Sequence, residues 1–292
     1  MVNQKKIKFT GMFLAVSMVM ATIFPFHVNA ATNSYWAEKS VIRYYNSSDS
    51  SDAPEWKLTR SNDYTYDKHG NVASEVVKED LMDGIGVSKM TYKHTYKNGK
   101  ETKRVSYRNG KKVSTRTYTY NKDNTLKATV EKDTEGNITG KHSYTYKEGK
   151  LTKDRYKDSS SDICNYYDTK GNLKKTVTIY SYGTKHTVSY DKYGIVTAYT
   201  YQNDEGNITQ NKKYTLTYKD GLCTQVDPNG EKAVYYITGY YAGMLKEVIS
   251  DEMTTTYKYT QDKKSKKVAT QLMYVDGKLS DKYEYKYIKI TK

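Results

Sequence analysis

Thr117-Tyr118-Thr119-Tyr120-Asn121-Lys122-Asp123-Asn124-Thr125-Leu126 decides the fold. Its first four residues alternate with period two, which sends successive side chains to opposite faces and marks a strand rather than a helix. Asn121 to Thr125 then gathers Asn and Asp, which bond their own main chain and tolerate left-handed backbone in tight turns. Leu126 opens the return strand. The same pattern is written again as Ser143-Tyr144-Thr145-Tyr146-Lys147-Glu148-Gly149-Lys150-Leu151. Tyr257-Lys258-Tyr259 and Tyr283-Glu284-Tyr285-Lys286-Tyr287 keep the alternation near the end of the chain.

Working outward, turn signals recur about every 12 residues. One series opens on a tyrosine, at Tyr66, Tyr96, Tyr120, Tyr146, Tyr167, Tyr190, Tyr218, Tyr240 and Tyr259. A second series lies between these turns, with Asp83-Gly84, Asn109-Gly110, Glu135-Gly136-Asn137, Glu205-Gly206-Asn207, Asn229-Gly230 and Asp276-Gly277 among its members. Asx-Gly between alternating segments is the strongest short-range hairpin signal. The two series fall at opposite ends of the strands. The expected fold is all-β, a repetitive antiparallel β-hairpin meander of roughly 16–18 strands with a unit of about 24 residues. Laid flat it would be about 80 Å long. Open sheets beyond ~10 strands curl or split, so an elongated, twisted or coiled sheet is expected.

The chain has 292 residues, 48 Lys+Arg against 33 Asp+Glu, and 33 Tyr at only 36% hydrophobic content. Residues 1–30 stand apart. Lys5, Lys6 and Lys8 precede an apolar run from Met12 to Phe26, and Val28-Asn29-Ala30 closes it. That is the pattern of a signal peptide, so a secreted or extracellular protein is expected, with association to the cell wall allowed. All four Phe fall in this leader and all 33 Tyr outside it; without its three lysines the formal charge drops from +15 to +12. Leu, Ile and Val make up roughly 14% of the remainder, below the ~20% at which high charge usually means disorder. A thick apolar core is excluded, and order must come from Tyr and Thr, which favour strands. No second long apolar run offers a membrane-spanning helix.

Residues 31–62 hold both Trp, Trp36 and Trp56, and a Ser/Asp-rich stretch from Asn46 to Pro54. Ser34 with Glu38 reads as the start of a short capped helix or as an irregular first strand. Terminal repeats need a cover, so this segment is read as an N-terminal cap and residues 63–292 as the repeat domain.

Tyr66-Asp67-Lys68-His69-Gly70-Asn71-Val72 and Tyr167-Asp168-Thr169-Lys170-Gly171-Asn172-Leu173 carry Y-D-x-x-G-N-[LV] whole, and the other turns carry it in degraded form. This resembles the YD repeat, also called the RHS repeat, over about residues 60–285. The resemblance implies β-hairpins, which in the largest relatives spiral into a shell around a C-terminal toxin. This sequence is too short for a full shell and no toxin-like domain follows the last strand, so it looks like the short secreted bacterial form. The resemblance implies fold more directly than function.

Candidate chemistry is sparse. His94, His142 and His186 echo one repeat position and stand about four strands, roughly 19 Å, apart, too far for a shared metal or a catalytic pair. His69 is a turn residue. Asp133 to Asn137 and Asp204 to Asn207 resemble calcium-loop fragments but lack the remaining ligands. No enzyme, metal or cofactor is expected. The tyrosine row, rings about 10 Å apart, has two readings that can hold together: it is the core of the sheet, with Val72, Leu126, Leu151, Leu173 and Leu222 filling the gaps, or part of it is an exposed platform for stacking sugar rings. Thr65, Thr119, Thr145, Thr217 and Lys258 would lie on the opposite, wet face.

The charge, nearly all Lys with six Arg, reads as spread through the repeats. Outside a cell it would draw the sheet to anionic polymers. Nucleic acid is set aside because of the leader. The expected role is therefore a non-enzymatic cell-surface or extracellular module for binding or scaffolding anionic or glycan polymers. The alternative is an accessory or immunity-type relative of RHS toxins in competition between bacteria. Edge-strand self-association is a further mode open to such a sheet. Cys164 and Cys223 count out five strands apart, about 24 Å in an open sheet, beyond the ~7 Å a disulfide spans. They are expected to be unpaired with one another unless the sheet coils with about five strands per turn.

Overall fold

A computed structural model describes residues 34–48, 53–81 and 84–291. The expected signal peptide lies outside these residues. One antiparallel sheet of 21 strands makes up the fold. It begins with β1 (Ser34–Asn46), β2 (Trp56–Tyr66), β3 (Val72–Leu81) and β4 (Gly84–Lys97). Then come β5 (Lys100–Arg108), β6 (Lys111–Tyr120), β7 (Leu126–Lys132), β8 (Ile138–Lys147) and β9 (Lys150–Asp158). The middle holds β10 (Ser161–Tyr167), β11 (Leu173–Tyr180), β12 (Lys185–Tyr190), β13 (Val196–Gln202) and β14 (Ile208–Lys213). The chain finishes with β15 (Thr215–Lys219), β16 (Leu222–Val226), β17 (Lys232–Tyr236), β18 (Leu245–Ile249), β19 (Thr254–Gln261), β20 (Val268–Val275) and β21 (Lys278–Thr291).

Each strand pairs with the next, except at one place. β14 and β15 run on as one strand through Tyr214: the first half pairs with β13 and the second with β16. At the far side β1 lies between β2 and β21, in register from Ser34↔Thr291 to Tyr45↔Asp281. The meander thus bends round on itself into a nearly closed, barrel-like sheet. The count exceeds the 16–18 expected partly because residues 34–66 supply two strands and the strand through Tyr214 counts as two.

Of the two forms open to residues 34–45, the strand is the one present, with a bulge between Glu38 and Ser40. The one helical turn among the described residues, Gly239–Tyr241, lies instead between β17 and β18. β1 covers the edges of both β2 and β21 and so joins the two ends of the repeat.

Among the described residues both turn series fall at strand connections. Asn98-Gly99 has φ 51° and 74°, the double left-handed step of a type I′ hairpin turn. The Y-D-x-x-G-N loops are built differently. Asp67 accepts the Gly70 N–H on its main-chain oxygen (3.0 Å) and the N–H groups of His69 and Asn71 on its side chain (2.8 and 2.9 Å). Asp168 repeats the arrangement with Gly171, Lys170 and Asn172.

Side chains alternate between two faces. On β8, His142, Tyr144 and Tyr146 are half-buried while Lys141, Ser143, Thr145 and Lys147 are exposed. The five residues assigned to a wet face, Thr65, Thr119, Thr145, Thr217 and Lys258, are all exposed. The buried face is aromatic and polar, with Ser106, Thr129, Asp154 and Asn165 sealed among the rings. The apolar core is small. Ile195 (1%), Val196, Cys223 (0%) and Ala233 are buried where β16 meets the start of β13, and there the Gln225 amide donates to the Val196 carbonyl at 2.6 Å.

Candidate functional site

The tyrosine that opens each first-series turn is set by a register shift. Immediately before Tyr66, Tyr96, Tyr120, Tyr146, Tyr167 and Tyr190 the return strand carries one extra residue. The bulge brings Tyr66 opposite Val72, Tyr120 opposite Leu126, Tyr146 opposite Leu151, Tyr167 opposite Leu173 and Tyr190 opposite Val196. Aromatic–aliphatic pairs of this kind stabilise a sheet by up to ~1 kcal/mol each. Leu222, by contrast, faces Lys219, and Tyr218 faces Cys223.

Six of the nine hydroxyls then reach back to the preceding hairpin. Tyr66 donates to the Glu38 carbonyl (2.5 Å), Tyr120 to Glu101 (2.7 Å) and Tyr259 to Leu245 (2.5 Å). Tyr167 donates to the Asp154 carboxylate (2.6 Å), Tyr218 to Asp191 (2.7 Å) and Tyr96 to Asp67. Tyr287, outside the predicted row, continues the pattern to Val268 (2.7 Å). These phenols form a latch along one rim of the sheet. Burial pushes Tyr66 up to about 12, and burial together with the neighbouring carboxylate raises Tyr96, Tyr167 and Tyr218 further. Of the nine, Tyr218 (46%) and Tyr240 (67%) are the large exposed rings.

The histidines sit as the repeat places them, on β4, β8 and β12. His94 lies between Glu101 (2.7 Å) and the Val72 carbonyl (2.9 Å). His142 stacks on Tyr144 and contacts Asp154 at 3.1 Å, while Asp154 also accepts from Asn165 at 3.2 Å. Burial among Tyr180, Tyr199 and Tyr201 lowers the pKa of His186. Among the described residues no group of three or more His, Cys, Asp or Glu could hold a metal. Asp133 uses its carboxylate on the Glu135 and Asn137 N–H groups of its own turn. Cys164, on β10, and Cys223, on β16, are free thiols.

The charge is less evenly spread than the repeat suggests. Residues 84–158, which form β4 to β9, hold nineteen basic and eight acidic residues, a net +11 that is nearly the whole excess outside the leader. A running charge sum along the sequence would have found it. On the exposed face one cross-strand line reads Thr95, Lys103, Thr117, Val130, Lys141, Lys157. Lys93 and Lys132 flank it, and all five of these lysines are exposed. Lys141 and Lys157 face each other directly, as do Lys97 and Lys100, and Lys147 and Lys150. Like charges so placed repel. Among the described residues the lysines in ion pairs are Lys212 (with Asp227, 3.3 Å) and Lys282 (with Glu284, 3.0 Å), both away from this face. Lys157 also borders a 240 Å³ cleft lined by Asp158, Asp162, Ile179 and Tyr180.

No protein-family model matches the chain, and no curated protein matches it. Among solved structures it is similar to a porin-like protein from Bacteroides uniformis, at 15% identity, over 86% of this chain and 98% of that one, with a TM-score of 0.40. A porin-like protein from Bacteroides vulgatus aligns at 8% identity over 86% and 98% of the two chains, with a TM-score of 0.28. The Tc holotoxin pore of Photorhabdus luminescens aligns at 8% identity over 85% of this chain and 18% of that one, with a TM-score of 0.22.

Proposed function

We propose that the protein is an exported, non-catalytic β-repeat scaffold of the YD type, and that the lysine face of β4 to β9 holds an anionic polymer such as a teichoic acid or an acidic polysaccharide. The observation that carries this reading is the net +11 between residues 84 and 158, with Lys93, Lys103, Lys132, Lys141 and Lys157 exposed and, among the described residues, in no ion pair with a carboxylate. Lysines held opposed on a rigid sheet repel until a polyanion lies between them. Sugar stacking by the tyrosine row falls to Tyr218 and Tyr240, the two of the nine that are exposed, at 46% and 67%. A lipid-facing barrel needs an outward apolar band about 25 Å tall. Lys141, Ser143 and Thr145 stand on the exposed face instead, which favours a polymer in water over a bilayer.

Binding through about five lysines should fall with log salt at a slope near −3.5, roughly 100-fold between ~50 and ~200 mM, if each contact releases counterion as on a single-stranded polyanion. The test measures retention on purified anionic wall polymer across that series. The triple variant Lys103→Gln, Lys141→Gln, Lys157→Gln should lose most of the affinity. Lys263→Gln, Lys264→Gln, Lys266→Gln removes the same charge from the turn after β19 and should not. Equal losses in the two variants, or retention indifferent to salt, would refute the reading.

A further inference from the structure

Among the described residues the sheet breaks between β14 and β15: β14 pairs only with β13 and β15 only with β16, so the outer edge of β14 and the opposite edge of β15 each lack a paired strand. Tyr214 donates its N–H to the Thr197 carbonyl at 3.0 Å, and the register continues through Tyr199↔Lys212 and Tyr201↔Gln210. In an antiparallel ladder residues alternate between hydrogen-bonded and non-bonded pairs. Gln210, Lys212 and Tyr214 therefore turn their main-chain groups toward β13, and Asn211 and Lys213 turn theirs away. Thr209 is the extra residue where the register shifts next to Gln202. Thr215, Thr217 and Lys219 point the same way as Asn211 and find β16. The chain turns off after Val226, and among the described residues no strand pairs with the outer edge of β14. Five of its six residues are exposed, and Ile208 is 62% exposed.

We propose that this edge pairs antiparallel with the same edge of a second copy of this chain, about a two-fold axis at Asn211. The sequence of the strand is what selects this occupant. About that axis Asn211 faces Asn211 of the partner subunit, Gln210 faces the partner's Lys212, and Thr209 faces the partner's Lys213. Ile208 meets the partner's Tyr214, a half-buried ring. No two like charges stand directly opposite, whereas parallel pairing in the same register would set Lys212 and Lys213 on their own copies. Each lysine instead meets a neutral side chain that accepts a hydrogen bond. An isologous edge closes on itself, so the assembly stops at two and does not grow into fibres. The contact is one short strand per chain, far below the ~800 Å² per partner of a standard interface. The dimer is accordingly weak and depends on concentration.

Sedimentation velocity of the exported chain over a wide concentration range tests this. The wild-type mass should rise toward that of a dimer. Asn211→Pro deletes an N–H that points away from β13, a place where edge strands accept proline, and should stay monomeric with an unchanged β spectrum by circular dichroism. Thr209→Lys keeps the backbone and sets a lysine against the partner's Lys213; it should weaken the dimer at least ~10-fold. A chain monomeric at every concentration, or a dimer that both variants leave intact, would overturn the proposal.

Discussion

Raising the pH should unfold this protein through its tyrosines. Tyr118, Tyr144, Tyr235 and Tyr285 are each pushed up to about 12, with burial as the largest cause. The ordinary phenol value is near 10. A group whose pKa is higher in the folded state stabilises that state fully below its unfolded value, and the contribution is lost as pH climbs through the folded one. The window is therefore pH 10 to 12. A rise of this size is worth about 3 kcal/mol per ring in favour of the neutral form. Water reaches the edges of a single-layer sheet, so about 1 kcal/mol per ring is the figure to carry after screening. Four rings then sum to ~4 kcal/mol, a large part of the 5–15 kcal/mol that holds a typical domain together. The assay follows tyrosinate absorbance and far-ultraviolet circular dichroism in one alkaline titration. Tyrosinate from the buried rings should appear in a cooperative step that coincides with loss of the β signal. If the phenols ionise smoothly near pH 10 and the β signal survives past pH 12, the burial argument is wrong.

Three further outcomes are expected. Tyr167→Phe deletes the 2.6 Å bond to Asp154, a carboxylate left 5% exposed; stability measured in urea should fall by roughly 1.5–3 kcal/mol, as for bonds to charged groups, while retention on anionic polymer is unchanged. Gly70→Ala should be worse than Gly110→Ala: both have φ +81°, but a Cβ at Gly70 meets the Tyr35 hydroxyl and Ile290 whereas at Gly110 it meets open space, so equal melting temperatures would discard the close-packing account. Burial pushes the Cys223 thiol up to about 11, and with Cys164 half-buried a thiol reagent at neutral pH should label Cys164 in the native protein and Cys223 only after unfolding; comparable native rates, or a Cys164–Cys223 linkage by mass spectrometry, would contradict this.

The turns were legible because their cause is local. Asn98-Gly99 and Tyr66 to Val72 carry within a few residues the side chains that left-handed steps and Asx bonds require. Closure of the sheet was not legible. Pairing Ser34 with Thr291 joins opposite ends of the described chain, and no local propensity encodes a partner that distant. The open edge at β14 escaped for the same reason, since Tyr214 is an ordinary strand residue whose two sides happen to serve different neighbours. The tyrosine row could be read, but several of its acceptors could not: Tyr66, Tyr120 and Tyr259 donate to main-chain carbonyls, which every residue has. The lysine face was readable and was obscured by the repeat, because a charge that recurs in each unit looks uniform until it is summed.

The latch also explains why residues 31–292 use tyrosine and hold no phenylalanine. A single sheet has no second layer to receive a fully apolar ring, so a ring on its aromatic face is only half-buried. Phenylalanine there would leave apolar surface in water and the preceding hairpin's carbonyl or carboxylate without a donor. Tyrosine covers the cross-strand aliphatic with its ring and supplies the donor with its hydroxyl. At Tyr66, Tyr96, Tyr120, Tyr167, Tyr218 and Tyr259 the hairpin is thereby fastened to its predecessor twice, by the ladder and by the phenol. A meander joined by the ladder alone could slip by two residues and still keep its faces. The phenol forbids that slip, because its acceptor lies at one fixed height on the previous hairpin: Asp154 for Tyr167, Asp191 for Tyr218, Asp67 for Tyr96. Register held in this way lets a sheet with so little apolar core keep its lysines opposed on the other face.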